Sequence, residues 1–399
     1  MNHSRVAGFI PAKGTSSRIA SKNLQMVRGT PLFLWAAGNL SKVLPKSQIY
    51  VHSDSDAILE IAKRYGFQAL KRPEHLSTNQ ATGDDLMLWE AEQVDCDVLV
   101  QHLPPMAFLR RDTLNEIIDS VLKGESDSAF GVYRLASYGW DAEGAKYSTE
   151  RLPNSDQLPL EIHEGMGIYA CSRQSLLSHK RRTADQFKMV DLDFFERLDI
   201  DYPQQLEIVQ SIGSQLREGS EHLSPITRDD KLTSKERELP SCLMLDVDGV
   251  QTNGSIQVNP IGIARAFNSK DGQGIKDLLA NGIEVVFVTA ADIEGSIALR
   301  AEMLGVRKVL RSSSEDKFEV CSKFLLENGK SWENVWYAGD DKPDVLPMLA
   351  AGMSFSPSDG HRAAVAAADC VSQLAGGDGF VREIADLALK IASKGGPRD

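Results

Sequence analysis

The stretch that most constrains this chain is Leu243–Gly254, LMLDVDGVQTNG. The apolar run from Cys242 to Leu245 reads as a buried strand, and it ends in Asp246-Val247-Asp248-Gly249. In an open α/β sheet, residues at the carboxyl ends of parallel strands line the crevice where ligands bind. Two carboxylates two residues apart at such an end can divide the work on a phosphate ester. Asp246 can attack phosphorus, while Asp248 can protonate the leaving oxygen and later activate water. Mg2+ between them would offset their mutual repulsion and that of the phosphate. A strand followed by an Asx turn reads the same stretch equally well.

Residues further along the chain extend the pattern. Ile283–Thr289 (IEVVFVT) reads as a second buried strand, ending in Thr289. Lys317 opens the helical run Phe318–Asn328, and Val335–Ala338 reads as a strand running into Gly339-Asp340-Asp341, with Asp344 close behind. Gly274–Ala280 and Ser296–Leu304 read as helices and Lys308–Arg311 as a short strand. Asp246, Asp248, Thr289, Lys317, Asp340 and Asp344 thus fall at or near element ends, where a right-handed α/β sheet can gather them at one rim. A carboxylate nucleophile, a hydroxyl for the phosphate, a lysine to neutralise it and further carboxylates for Mg2+ form a phosphoryl-transfer set. Singly, Thr289 also reads as a β-branched strand end and Lys317 as a surface lysine.

At 399 residues there is room for two domains of ordinary size. The five cysteines form no CxxC pair, so neither a disulfide framework nor a zinc site is indicated. With no apolar run near 18 residues and no apolar leader, a cytoplasmic location is expected. A net charge of −12 argues against nucleic-acid and anionic-membrane partners. Yet no Asp or Glu precedes Asp54, whereas Arg5, Lys13, Arg18, Lys22, Arg28, Lys42 and Lys46 do. Such a segment suits an anion site; chance clustering on a solvated face is the alternative.

The first half alternates strands and helices: Arg5–Ile10, Gln48–Ser53, Val98–Gln101 and Gly165–Ala170 as strands, with Pro31–Leu44, Ala57–Tyr65, Leu86–Val94, Thr113–Lys123 and Gln204–Gln210 as helices. The expected fold class is α/β, with two doubly wound, mostly parallel-sheet domains. Expected limits are 1–215 and 241–399, with residues 216–240 as a polar linker. Directly after the first strand comes Pro11–Leu24 (PAKGTSSRIASKNL). Glycine and small hydroxyl residues there let backbone N–H groups approach phosphate oxygens, and Lys and Arg add charge. The spacing is neither a Walker A loop nor GxGxxG, and a plain surface turn remains open.

With these motifs in place, the second half resembles the haloacid-dehalogenase-like phosphatases, closest to the capless branch typified by 3-deoxy-D-manno-octulosonate 8-phosphate phosphatase. The resemblance covers Cys242 to Leu389 and rests on DVDGV, Asn268–Ile275 (NSKDGQGI), Thr289, Lys317, Gly339-Asp340-Asp341 and Gly376–Glu383 (GGDGFVRE). It implies Asp246 as the phosphorylated nucleophile, Asp248 as acid/base, and Asp246, the Asp248 carbonyl and Asp340 on Mg2+. It also implies a homotetramer. The branch usually has Gly-Arg after the motif threonine; here stand Ala290-Ala291.

The first half looks like the CMP–sialic acid synthetases from Val6 to Gln210. The match rests on Ile10–Asn23, Val51–Ser55 (VHSDS), Arg72-Pro73 with Leu76-Ser77, Gln101 with Pro105, and Glu164–Ala170 (EGMGIYA). It implies transfer of CMP from CTP to a nonulosonic acid, with release of pyrophosphate. Lys13, Gly14, Ser16, Arg18, Lys22 and Asn23 would cradle the nucleotide, with Lys22 also counted as catalytic. Arg72 would assist the nucleotide, and Gln101 and Tyr169 would face the sugar. Of the family's metal-binding acidic run, Asp199 and Asp201 remain, while Phe195 and Arg197 replace acids; Asp191 and Asp193 are substitutes if the loop is longer. Ser17 stands at the loop lysine, beside Arg18. Vertebrate members share this domain order but typically lack the full phosphatase set.

Two consecutive steps are therefore expected: removal of a 9-phosphate from a nonulosonic acid precursor, then CMP activation. The alternatives are a second half that serves only assembly, and a phosphatase whose first half is a degenerate nucleotide-binding regulator.

Overall fold

The computed structural model describes residues 5–224, 226, 238–259, 262–291, 295–313 and 316–394. Residues 225 and 227–237 of the expected linker lie outside the described residues. The chain divides into two compact units, Met1–Leu59 with Phe67–Ile226, and Glu60–Gly66 with Thr227–Asp399. Among the described residues, no helix is long and apolar enough to cross a membrane.

The first unit is built on a seven-stranded sheet. Its strands are β1 (Val6–Pro11), β2 (Ile49–Ser53), β3 (Gln68–Lys71), β4 (Val98–His102), β5 (Ser128–Ala136), β6 (Leu160–Ser172) and β7 (Phe187–Asp191), in the order β7-β5-β6-β4-β1-β2-β3. β1 pairs parallel with β2 and β4, β2 with β3, and β7 with β5; β6 alone runs antiparallel to both neighbours. The sheet is thus mostly parallel, with one reversed strand. β1, β2 and β4 are apolar almost throughout because both faces are covered. The helix Leu32–Ser41, α1, is buried along nearly its whole length for the same reason. Trp35, Phe33 and Phe108 are among the largest fully buried side chains. Each such side chain contributes about 1.5–3 kcal/mol relative to exposure. In the helix Gly83–Gln93, α2, Thr82 and Asp85 form a reciprocal capping box, and the helix starts three residues earlier than its apolar pattern predicts.

β6 extends well beyond the expected Gly165–Ala170. A register shift between Glu164 and Tyr169 breaks its ladder with β5, and Met166 there has a φ of 34°. Such a bulge re-aims side chains locally.

The second unit carries a six-stranded sheet whose pairs are all parallel: β8 (Cys242–Asp246), β11 (Glu284–Thr289), β12 (Lys308–Arg311), β13 (Val335–Ala338), β14 (Met353–Ser356) and β15 (Cys370–Val371), in the order β12-β11-β8-β13-β14-β15. A separate two-stranded hairpin, β9 (Gln257–Asn259) with β10 (Gly262–Ala264), follows β8. Helices Ser269–Ala280 and Phe380–Lys394 follow in sequence, and the core beneath them holds Leu245, Phe287, Ile275 and Phe380 at no more than 1% exposure. The strand order reverses at β8, between β11 and β13. In an open parallel sheet that is where a ligand crevice opens.

Candidate functional site

In the second unit the carboxyl ends of β8, β11 and β13 meet. Asp246 is the last residue of β8, and its neighbour across the ladder is Val288, so Thr289 lies one position further out on β11. Asp246, Asp340 and Asp344 each offer a carboxylate oxygen, all within 4.8 Å of one another. Lys317, at the start of the helix Lys317–Glu327, reaches Asp246 Oδ1 at 3.0 Å and Asp344 Oδ1 at 2.7 Å with its side chain buried. Burial alone would push the Lys317 ammonium down, but Asp246 and Asp344 outweigh it and hold the group above its ordinary value.

The three carboxylates do not have equal work. Asp344 accepts four hydrogen bonds: at Oδ1 from Lys317 and from the Tyr337 hydroxyl at 2.8 Å, and at Oδ2 from the Asp340 and Asp341 amides, both at 3.1 Å. A carboxylate has about four lone-pair sites, so Asp344 is saturated and organises the turn. Asp340 is the opposite case, because its Oδ1 is buried without a hydrogen-bond partner. Burial, then Asp344, pushes the Asp340 carboxyl up to about 7. Burial and Asp344 likewise raise Asp246 well above the carboxylate range. Clustered buried acids with an orphaned oxygen are what a hard divalent cation relieves, so the residues present fit one, through Asp246 and Asp340.

Two close approaches explain the glycines around these acids. Gly249 has a φ of +92°, and a Cβ there would stand 2.1 Å from Asp340 Oδ2. A Cβ on Gly376 would stand 1.8 Å from the Gly249 carbonyl oxygen, so the GGDG segment packs against the DxDG turn.

The Asp248 carboxylate stands outside the three-carboxylate cluster. It is gripped by Arg265, whose Nε donates to Oδ1 at 2.7 Å and Nη2 to Oδ2 at 2.9 Å. Arg265 is itself buried and follows the β9–β10 hairpin, and no sequence motif announced it. Its one visible signal is a cation placed shortly before NSKDGQGI.

In the first unit, the Pro11–Asn23 loop folds back over the end of β2. Ala12 N donates to His52 O at 3.0 Å and Gly14 N to Asp54 Oδ1 at 2.7 Å. A Cβ on Gly14 would lie 2.8 Å from Ser55 Cβ, which excludes larger residues there. Asn23 is buried and closes the loop by donating to the Lys13 carbonyl at 2.8 Å. Ser16 Oγ accepts locally from Ile19 N at 3.5 Å.

Six of the opening segment's seven cations split into two groups. Arg5 pairs with Asp97, Arg28 with Glu218, and Lys42 donates to the Leu109 and Glu221 carbonyls, so these three staple the fold. Lys13, Arg18 and Lys22 remain at the loop. Lys13 donates to Asn79 Oδ1 at 2.9 Å, Arg18 to Asp201 Oδ1 at 2.8 Å, and Lys22 to the Ile200 carbonyl at 2.8 Å with Asp201 at 3.5 Å.

Asp199 and Asp201 lie close together: burial and then Asp201 raise the Asp199 carboxyl. Among the described residues no third acid, His or Cys joins them in a cluster. Asp193 is engaged by Arg110 and His222, and Asp191 by Arg134. With Asp201 already holding two cations, this pair does not fit a metal ion as the three-carboxylate site does.

Arg72 is buried, donating from Nε to His52 Nδ1 at 3.1 Å and from Nη2 to His52 O at 3.2 Å. Gln101 and Tyr169 are expected to face a sugar, but they are 0% and 1% exposed. The Gln101 amide is consumed by Glu90 and Arg182, and the Tyr169 hydroxyl by Glu164. The more exposed group beside both is Arg182, stacked 3.6 Å from the centre of the Tyr169 ring. Its signal in the sequence was the basic run Lys180-Arg181-Arg182 in an acidic chain.

Comparison with known proteins agrees with the division into two chemistries. Residues 7–218 match the family model described as Cytidylyltransferase. N-acylneuraminate cytidylyltransferase A of Danio rerio is 25% identical over 408 residues, covering 98% of this chain and 90% of that protein. The 3-deoxy-D-manno-octulosonate 8-phosphate phosphatase KdsC of Escherichia coli (strain K12) is 37% identical over 153 residues, covering 38% of this chain and 80% of that protein. The chain therefore belongs to the cytidylyltransferase family and carries, in its second half, a member of the KdsC family of haloacid-dehalogenase-like phosphatases.

Proposed function

We propose that the chain catalyses two consecutive steps: hydrolysis of the 9-phosphate of a nonulosonic acid, and transfer of CMP from CTP to the free sugar acid. The observation that carries the first step is the set formed by Asp246, Lys317, Asp340 and Asp344 at one sheet rim.

In the phosphatase reaction an Asp246 oxygen attacks phosphorus while Asp248 gives a proton to the departing sugar oxygen. Water, deprotonated by Asp248, then cleaves the aspartyl phosphate and regenerates Asp246. Lys317 fixes Asp246 and neutralises negative charge, and the Thr289 hydroxyl at the neighbouring strand end holds a phosphate oxygen. A Mg2+ ion held by Asp246, Asp340 and the Asp248 carbonyl would supply Lewis-acid stabilisation of charge on the phosphoryl oxygens.

In the transferase reaction the 2-hydroxyl of the sugar attacks the α-phosphorus of CTP and pyrophosphate leaves. The protein's task is to position two anions and neutralise them. Lys13, Arg18 and Lys22 surround the loop that would take the triphosphate, with the amides of the Gly14 region close by. The Danio rerio relative, aligned over nearly the whole chain, supports this substrate pair.

The test is one preparation given CTP, Mg2+ and a panel of free nonulosonic acids, then the 9-phosphates of the same acids, with pyrophosphate and phosphate measured separately. The reading requires pyrophosphate from one free acid and phosphate from its 9-phosphate. Phosphate release without pyrophosphate from any acid would leave a phosphatase with a degenerate nucleotide domain.

A further inference from the structure

The first unit holds a chain of hydrogen bonds that links residues of three separate motifs, Arg72, His52 and Gln101, to Glu90 and Arg182, which belong to none of them. It starts at Arg72, whose Nε–H points at His52 Nδ1. That nitrogen must therefore be the unprotonated one, and the ring's proton sits on Nε2, which donates to Glu90 Oε1 at 2.7 Å. Burial also lowers the His52 pKa and keeps the ring neutral. From the other side, Gln101 Nε2 donates to Glu90 Oε1 at 3.0 Å and Oε2 at 3.2 Å. A flipped amide would set its carbonyl against the carboxylate, so the orientation is fixed. Gln101 Oε1 then accepts from Arg182 Nη1 at 3.0 Å.

His52, Glu90 and Gln101 are all 0% exposed, so water cannot replace any of these partners. The supports are local. Trp89, beside Glu90 on α2, packs against the His52 ring at 5.2 Å. Gln101 on β4 stands opposite Tyr169 on β6, and the Tyr169 ring lies under Arg182. Arg182 Nε also lies 3.8 Å from Asp84 Oδ1, which accepts from the Arg182 amide at 3.0 Å, so Gln101 is its shorter side-chain partner. A single buried carboxylate thus orients two guanidinium groups through one neutral side chain each.

We propose that Glu90 is a positioning residue which couples the nucleotide side of the first unit to its sugar side, setting Arg72 through His52 for the nucleotide anion and Arg182 through Gln101 for the carboxylate of the sugar acid. The proposal rests on the cytidylyltransferase reading. Its content is energetic: a ligand that draws Arg182 outward shifts Gln101, then Glu90, then the ring that aims Arg72, so each ligand alters the other's affinity by the same factor.

The test is calorimetric titration of the full chain with CTP, in the presence and absence of a sugar acid, using N-acetylneuraminate and then 3-deoxy-D-manno-octulosonate as probes. Wild-type protein should bind CTP at least about fivefold more tightly with the sugar acid bound. Glu90→Gln should weaken both ligands and reduce this factor to near one, and Glu90→Asp should restore part of it. His52→Gln, which cuts only the Arg72 arm, should weaken CTP while leaving sugar-acid affinity within about twofold; it also serves if Glu90→Gln fails to fold. Wild-type protein that binds neither CTP nor either probe removes the functional reading beneath the proposal. Wild-type protein that binds both independently, or a folded Glu90→Gln protein that keeps the coupling, overturns the role of Glu90 alone.

Discussion

The two sites solve opposite electrostatic problems. In the second unit three carboxylates crowd one rim against a single lysine, and burial pushes Asp246 and Asp340 upward. The negative charge is in excess and calls for a cation. In the first unit the candidate binding cations already have partners: Arg18 and Lys22 on Asp201, Arg72 on His52, Arg182 on Gln101. A site for hydrolysis of a monoester needs a charged nucleophile held ready beside a metal position. A site for two anionic substrates needs cations kept in place without collapsing onto each other, and internal partners achieve that.

The comparison is broken most directly at Lys317. In Lys317→Ala, Asp246 and Asp344 lose the cation they share, and removing one partner of such a buried cluster costs about 3–5 kcal/mol. Denaturant unfolding of the full chain in a chelator should show a second-unit transition lowered by that order, with a first-unit transition unmoved. An unchanged second-unit midpoint would mean the acids are not held by this lysine.

A smaller effect should appear with pH in the first unit. His102 donates from Nδ1 to the Gly167 carbonyl at 3.0 Å, and the Asn39 amide donates to its Nε2 at 3.2 Å. Burial, the largest cause, lowers its pKa to about 4. The unfolded chain takes up this proton first, near the ordinary 6.5, so the unfolded state binds more protons between those values. The stability that His102 contributes is therefore complete above about pH 6.5 and is lost as pH falls toward 4. Denaturation midpoints of the first unit should decline across this window, and less steeply in His102→Gln. A midpoint that rises on acidification would contradict the neutral, buried ring.

The smallest structural effect belongs to Arg18→Ala. Arg18 is exposed and Asp201 about one-third exposed, so folding stability should hardly change. The KM for CTP should rise about tenfold, the scale of one lost charge-assisted hydrogen bond to an anion. A stability loss with unaltered KM would turn this cation into a staple like Arg28.

How much of this was legible beforehand differs between the two units. The helix Ser296–Leu304 and the edge strand Lys308–Arg311 have the bounds their patterns predict, and so does Val335–Ala338, because a parallel strand buried on both faces is a short apolar run with sharp polar ends. The acids at those ends were visible for the same reason. β5, β7 and the β9–β10 hairpin were not anticipated. Phe187–Asp191 merges into an acidic stretch, and the hairpin exposes Val258 and Ile263 instead of alternating toward a core. Arg265, Arg182 and Glu90 carry no motif of their own, and His52 lies in VHSDS without being singled out by it. Each matters through a partner distant in sequence, and partner choice is decided by the fold. The basic opening segment reads as one anion site, yet Arg5, Arg28 and Lys42 pair with the unit's own carboxylates and carbonyls.

The most direct measurement is of both activities in Asp246→Asn, assayed in one preparation with CTP and the free sugar acid, and separately with its 9-phosphate. Two separate sites predict that phosphate release falls at least about a thousandfold, as for loss of a nucleophile, while pyrophosphate release is unchanged. Loss of both activities in a variant that remains folded would contradict the account.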